Sequence, residues 1–277
     1  MLLLLLPLGL MAQDPISATH SDWLECMVGV EKAVDWTPSW QREKDAVVML
    51  ALGGKKGFCT GVLINNTRND GRALVLSAGH CARSVRGDDD IRVWFFHEEG
   101  RQARTIKGVR TLYKENNREV DVWLMEVQGE IPAGAYYAGW SRHSGQTSYD
   151  ISDLSPKEKA IFHLLTDGRE AYNYEPYACI QHPRGVKKMI AVAERMQMYS
   201  SRITHAWWEV GSTAPASSGS PVFDSRGLVT NMLVGGGSKC WNNVHDRLEN
   251  FDNQYSHIKK YLDPDGLDVM ELPGRHL

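Results

Sequence analysis

The sequence predicts an all-β fold, two β-barrels or a sandwich, closed by a single C-terminal helix. Short apolar runs recur at near-regular spacing, turn-forming residues separate them, and only one late segment carries the period of a helix. The composition agrees. The 277 residues include 25 Gly, 9 Trp and 10 Tyr, and 42% are apolar, which supplies a sizeable core and excludes wholesale disorder. Lys plus Arg number 31 against 34 Asp plus Glu, a net charge of -3. That balance argues against a protein that neutralises nucleic-acid phosphates.

Taken in order, residues 1–13 are Leu-rich and uncharged. The run is too short to span a bilayer but fits the apolar centre of a signal peptide ending in small residues. From residue 46 the strands begin. Runs at 46–52, 58–65, 72–78, 91–96, 105–113 and 120–127 form a first set, with Gly53-Gly54-Lys55-Lys56-Gly57 as a hairpin tip and Asn66 to Gly71 as a turn-rich connection. A second set follows Pro132, at 136–140, 177–181, 189–194, 205–210, 221–223, 228–234 and 245–248. Residues 144–175 interrupt it as a polar insertion, helical near 156–165. The closing helix is expected over 253–262, with Tyr255, Ile258 and Leu262 on one side and Pro264 ending it. Cysteines stand at 26, 59, 81, 179 and 240 with no C-x-x-C pair. In an oxidising compartment this reads as two bridges and one leftover thiol, with the pairing open.

Three short segments carry chemistry. Ala216-Ser217-Ser218-Gly219-Ser220-Pro221 is a tight small-residue loop before a strand, a way to present a hydroxyl nucleophile beside free backbone N–H groups. Leu76-Ser77-Ala78-Gly79-His80-Cys81 sets a histidine just beyond a buried strand. Asp121 opens the apolar run 121–127, where a carboxylate needs a donor partner that an imidazole N–H can supply. Each alone is weak. Together they occur in the order His80, Asp121, Ser218, the chymotrypsin-type order and not that of α/β-hydrolases or subtilisins.

Cys59-Thr60-Gly61-Val62-Leu63-Ile64-Asn65-Asn66-Thr67, with Leu76 to Cys81, resembles bacterial lysyl endopeptidases of the trypsin-like superfamily. Further matching stretches are Ala138-Gly139-Trp140, Gln181-His182-Pro183, Ser217 to Pro221 and Tyr261-Leu262-Asp263-Pro264. The resemblance implies two six-stranded antiparallel β-barrels with a C-terminal helix, the first over 14–131 with His80 and Asp121. The second spans 132–264 with Ser218 and the insertion 144–175, and 265–277 is a tail. It implies a secreted or periplasmic serine endopeptidase, acting as a monomer on protein or peptide substrates, without nucleic acid and without membrane once the signal is removed. No metal or organic cofactor is required.

The catalytic residues would be His80 as general base, Asp121 as its orienting partner and Ser218 as nucleophile. Backbone N–H groups of Ala216 and Ser218 would form the oxyanion hole. Position 216 is glycine in most relatives, so Ala216 is a departure that weakens the hole if the loop needs a left-handed backbone there. Substrate-binding positions would be Gly235, paired with the peptide, Val234, where relatives carry histidine, and Asp246, an acid attracting a basic P1 side chain. The same resemblance pairs Cys59 with Cys81 and Cys26 with Cys240, leaving Cys179 as a buried thiol. Cleavage after Lys or Arg is the expectation. A catalytically weakened binding module and an endopeptidase preferring acidic P1 residues are the alternatives.

Overall fold

A computed structural model describes residues 24–33, 40–53, 56–143, 176–242 and 244–276. The expected signal peptide over 1–13 and the insertion 144–175, with its expected helix, lie outside the described residues.

The fold is all-β, and its strands fall into two large sheets and a small two-stranded one. In the N-terminal sheet the strands are β1 (Val47–Leu52), β2 (Lys56–Leu63), β3 (Leu74–Ser77), β4 (Ile91–Phe95), β5 (Arg104–Lys107), β6 (Val109–Asn116) and β7 (Asp121–Val127). They run in the order β5-β4-β1-β2-β3-β7-β6, a curled half-barrel of seven strands. The count exceeds the expected six because Gly108, at φ 85°, divides the run 105–113 in two.

The C-terminal sheet contains β8 (Gly139–Ser141), β9 (Tyr177–Gln181), β10 (Met189–Met198), β11 (Ile203–Val210), β12 (Pro221–Phe223), β13 (Leu228–Gly236), β14 (Asp246–Asn250) and β15 (Glu271–Leu272). Six of these, β9-β10-β11-β14-β13-β12, close into a barrel through the β12–β13 and β9–β12 pairings. Within the stretch expected as a tail, 265–277, the described residues include two short strands: Glu271–Leu272 pairs with Trp140–Ser141, and Arg275–His276 pairs with Tyr136–Tyr137.

Helix α1 (Phe251–Leu262) places Phe251, Tyr255, Ile258 and Leu262 on one buried face, with Lys259 and Lys260 in its last turn to complement the dipole. Trp140 packs against Phe251 and Tyr255 at ring centroid separations of 5.5 and 5.2 Å. This face belongs to a core that draws Val62, Leu76 and Val122 from one sheet and Ile180, Val229 and Met232 from the other. The inside of the half-barrel is a second core, with Leu50, Val93, Trp123 and Met125, and the barrel interior is a third, with Cys179, Ala206 and Leu248. The two sheets are thus welded along one shared apolar seam, and the polar segments singled out above come together beside it.

Candidate active site

His80 is placed by the end of β3. Ala78 is still extended, and a short 3-10 turn, Gly79–Ser84, then lifts the histidine out of the sheet. Only glycine fits at 79, since a Cβ there would lie 1.9 Å from the Glu115 carbonyl oxygen. Asp121 is the first residue of β7, 5% exposed. Its Oδ1 accepts the His80 backbone N–H at 2.8 Å, and its Oδ2 lies 2.8 Å from His80 Nδ1. The carboxylate therefore fixes both the main chain and the ring. An acceptor at Nδ1 draws the imidazole proton to that nitrogen and leaves Nε2 as the free base. Burial works to raise the Asp121 pKa, but the hydrogen bonds and charge of His80 outweigh it and hold the carboxyl below its ordinary value.

The Asp121 main chain is gripped from β14 and from helix α1. Its N–H donates to both oxygens of Glu249 at 3.1 Å, and its carbonyl accepts Gln254 Nε2 at 2.8 Å. Glu249 is fully buried, with Arg202 Nη2 at 3.0 Å and Asn253 Nδ2 at 2.8 Å as its other partners. Burial still pushes its carboxyl upward. Sequence reasoning passed over both residues, because a Glu in a charged run reads as a solvated surface.

The serine loop reaches the same place from the barrel. Thr60 N–H on β2 donates to the Ser218 carbonyl at 2.9 Å, and the Cys81 sulfur lies 3.7 Å from that oxygen. Gly219, at φ 82°, packs so closely on the half-barrel that a Cβ would meet Ser77 Oγ at 2.1 Å and the Thr60 carbonyl at 2.3 Å. The Ser218 hydroxyl makes no hydrogen bond among the described residues. It faces a cavity of about 490 Å³ whose lining includes Thr213, Gly235, Ser238, Lys239 and Arg184. Ala216 has φ 77°, so the loop does use the left-handed backbone that disfavours alanine.

Of the expected substrate-binding positions, Gly235 lines the cavity, whereas Val234 packs against the half-barrel core. Asp246 is fully buried at the start of β14, behind Gly236, where a Cβ would clash with its Oδ1 at 1.8 Å. Its Oδ2 accepts Thr213 Oγ1 at 2.6 Å, Ser238 Oγ at 2.7 Å and Trp208 Nε1 at 2.7 Å, and its Oδ1 accepts Ser238 N–H at 3.1 Å. Thr213 and Ser238 connect this buried charge to the cavity they line. The expected disulfides are present, Cys26–Cys240 and Cys59–Cys81, and Cys179 is a buried thiol whose ionisation burial disfavours. Among the described residues there is no cluster of three or more His, Cys, Asp or Glu suited to a metal ion, and no helix is long and apolar enough to cross a membrane.

A half-barrel and a barrel that meet over a histidine, an aspartate and a serine loop define a trypsin-like chain. Residues 24–155 and 153–252 match the family described as lysyl endopeptidase, C-terminal domain, and the chain belongs to that family. It is 25% identical to the lysyl endopeptidase of Pseudomonas aeruginosa over 238 residues, an alignment covering 76% of this chain and 45% of that one. The chain therefore spans less than half the length of that relative. Among solved structures, it is similar to an inactive mutant of Rv3671c from Mycobacterium tuberculosis H37Rv, at 12% identity and a TM-score of 0.49, covering 86% of this chain and 95% of that one.

Proposed function

We propose that this member of the lysyl endopeptidase family is a secreted serine endopeptidase whose reaction is carried by Ser218, His80 and Asp121. The observation that supports it best is the double hold of Asp121 on His80, with the Ser218 loop bonded to Thr60 beside them. In this reading Ser218 Oγ attacks the peptide carbonyl carbon while His80 Nε2 takes its proton. The carbonyl oxygen becomes an oxyanion facing the N–H groups of Ala216 and Ser218. Collapse breaks the C–N bond, and His80 returns the proton to the leaving amine. Water, deprotonated by His80, then hydrolyses the acyl-enzyme and regenerates the hydroxyl. Asp121 stabilises the imidazolium in both halves.

Asp246 supports a preference for Lys or Arg at P1, its charge reaching the cavity through Thr213 and Ser238. A second reading, acidic P1, is favoured by Arg184 and Lys239 in the same lining. Two long-range disulfides fit an oxidising, extracytoplasmic compartment. The test is fluorophosphonate labelling followed by peptide mapping. Stoichiometric modification of Ser218, abolished by His80→Ala, is expected, and an unmodified Ser218 in folded protein overturns the enzyme reading. Fluorogenic peptides with Lys, Arg or Glu at P1 then separate the two specificities.

A further inference from the structure

The two N–H groups proposed to hold the oxyanion are left over from a loop in which every neighbouring carbonyl is tied down. The Pro215 carbonyl accepts Arg184 N–H at 2.5 Å, which turns the other side of that peptide, the Ala216 N–H, away from Arg184. The next peptide is held at both ends: the Ala216 carbonyl accepts Thr60 Oγ1 at 3.1 Å, and Ser217 N–H donates to the Ala214 carbonyl at 3.0 Å. The Ser217 carbonyl accepts both Ser220 N–H at 3.0 Å and Ser220 Oγ at 2.6 Å. The peptide planes on both sides of Ala216 are thus hydrogen-bonded while it sits at φ 77°.

Thr60 is the centre of this clamp, and it is fully buried. All of its polar groups are engaged. Its N–H donates to the Ser218 carbonyl at 2.9 Å, and its carbonyl accepts Ser77 Oγ at 2.7 Å. Its hydroxyl gives its one proton to the Ala216 carbonyl and accepts His182 N–H at 3.0 Å. The hydroxyl thus joins β2, the turn after β9 and the serine loop through one oxygen.

Resting on the serine endopeptidase reading, we infer that Thr60 is a positioning residue: its hydroxyl holds Ala216 in a backbone conformation that alanine resists, and so keeps the Ala216 N–H aimed at the oxyanion. A glycine at 216 would hold that conformation without help. In this chain the side-chain clamp takes over the task that the missing glycine would perform.

The experiment is a double-mutant cycle of Thr60→Val, which keeps shape and burial but removes the hydroxyl, with Ala216→Gly. Thr60→Val should lower kcat by about tenfold with KM nearly unchanged, the signature of an interaction made only in the transition state. Thr60→Ser should retain most of kcat. In the Ala216→Gly background the loss on Thr60→Val should shrink to within about threefold, because glycine needs no clamp. An equal loss in both backgrounds overturns the inference. A crystal structure of Thr60→Val supplies a reading independent of turnover. Residue 216 leaving the left-handed region supports the inference, and residue 216 staying there overturns it, whether or not the parent chain hydrolyses peptides. A parent chain that fails to react at Ser218 overturns the enzyme reading alone.

Discussion

Two single side chains carry opposite electrostatic burdens. Asp121 is buried yet ionised because His80 supplies donors from both backbone and ring. Replacing it by Asn would put an amide N–H or a weak acceptor against Nδ1 and favour the wrong imidazole tautomer. A loss in kcat of about ten-thousand-fold is expected, with KM little altered. Steady-state kinetics at pH 8 checks it, and a loss below tenfold would mean that His80 is oriented by something else. Glu43 is the reverse case. It is 1% exposed, both carboxyl oxygens lack a hydrogen-bond partner among the described residues, and Arg42 approaches only to 3.6 Å. Burial raises its pKa from 4.5 to about 7. The folded state thus disfavours the ionised form that the unfolded chain adopts freely above pH 4.5. Stability is unaffected below that pH, falls as pH rises through this window, and is lower by about 3 kcal/mol above pH 7. Glu43→Gln should flatten the decline, seen as a Tm that no longer drops between pH 4.5 and 7.5. If the parent Tm is itself flat there, Glu43 is not the buried acid described.

At the scale of elements, the serine loop and the half-barrel meet at van der Waals limits, and Gly219 is where they touch. Gly219→Ala would drive a methyl into Ser77 Oγ and the Thr60 carbonyl. Backbone atoms cannot yield as a flexible side chain does, so the loop must move. The expected result is a cost of about 2–4 kcal/mol in urea unfolding and loss of fluorophosphonate reactivity at Ser218. Full reactivity would show that the loop tolerates displacement. Strands were legible in the sequence where a short apolar run is bounded by turn residues, as at 91–95, 177–181 and 221–223. The pairing of residues 271–272 and 275–276 was not, because a two-residue strand has no period to read. The order of His80, Asp121 and Ser218 was visible, since each sits in a short motif of its own. Glu249, Gln254 and Thr60 were invisible as supports for the opposite reason. Their partners are backbone atoms 128, 133 and 156 positions away, and a backbone atom leaves no mark on residue identity.

Across the whole molecule, the site exists only while the two sheets stay in register, and covalent ties contribute unequally to that. Cys26–Cys240 closes a span of 214 residues and anchors the N-terminal segment, whose Val28–Gly29 strand pairs with β10. Cys59–Cys81 closes only 22 residues but lies between β2 and the His80 turn. Chain-entropy reasoning gives the long closure about 5 kcal/mol and the short one about 3 kcal/mol. The functional ranking should be inverted. Cys81 adjoins His80 in sequence and its sulfur touches the Ser218 carbonyl, so removing the short bridge loosens the histidine turn and the serine loop together. Paired Cys→Ala variants of each bridge, compared by urea unfolding and by kcat, test this. The long bridge should show the larger loss of stability and the short bridge the larger loss of kcat. If kcat instead follows stability across both variants, the sheets act as one rigid frame and the short bridge has no local hold on the reacting groups.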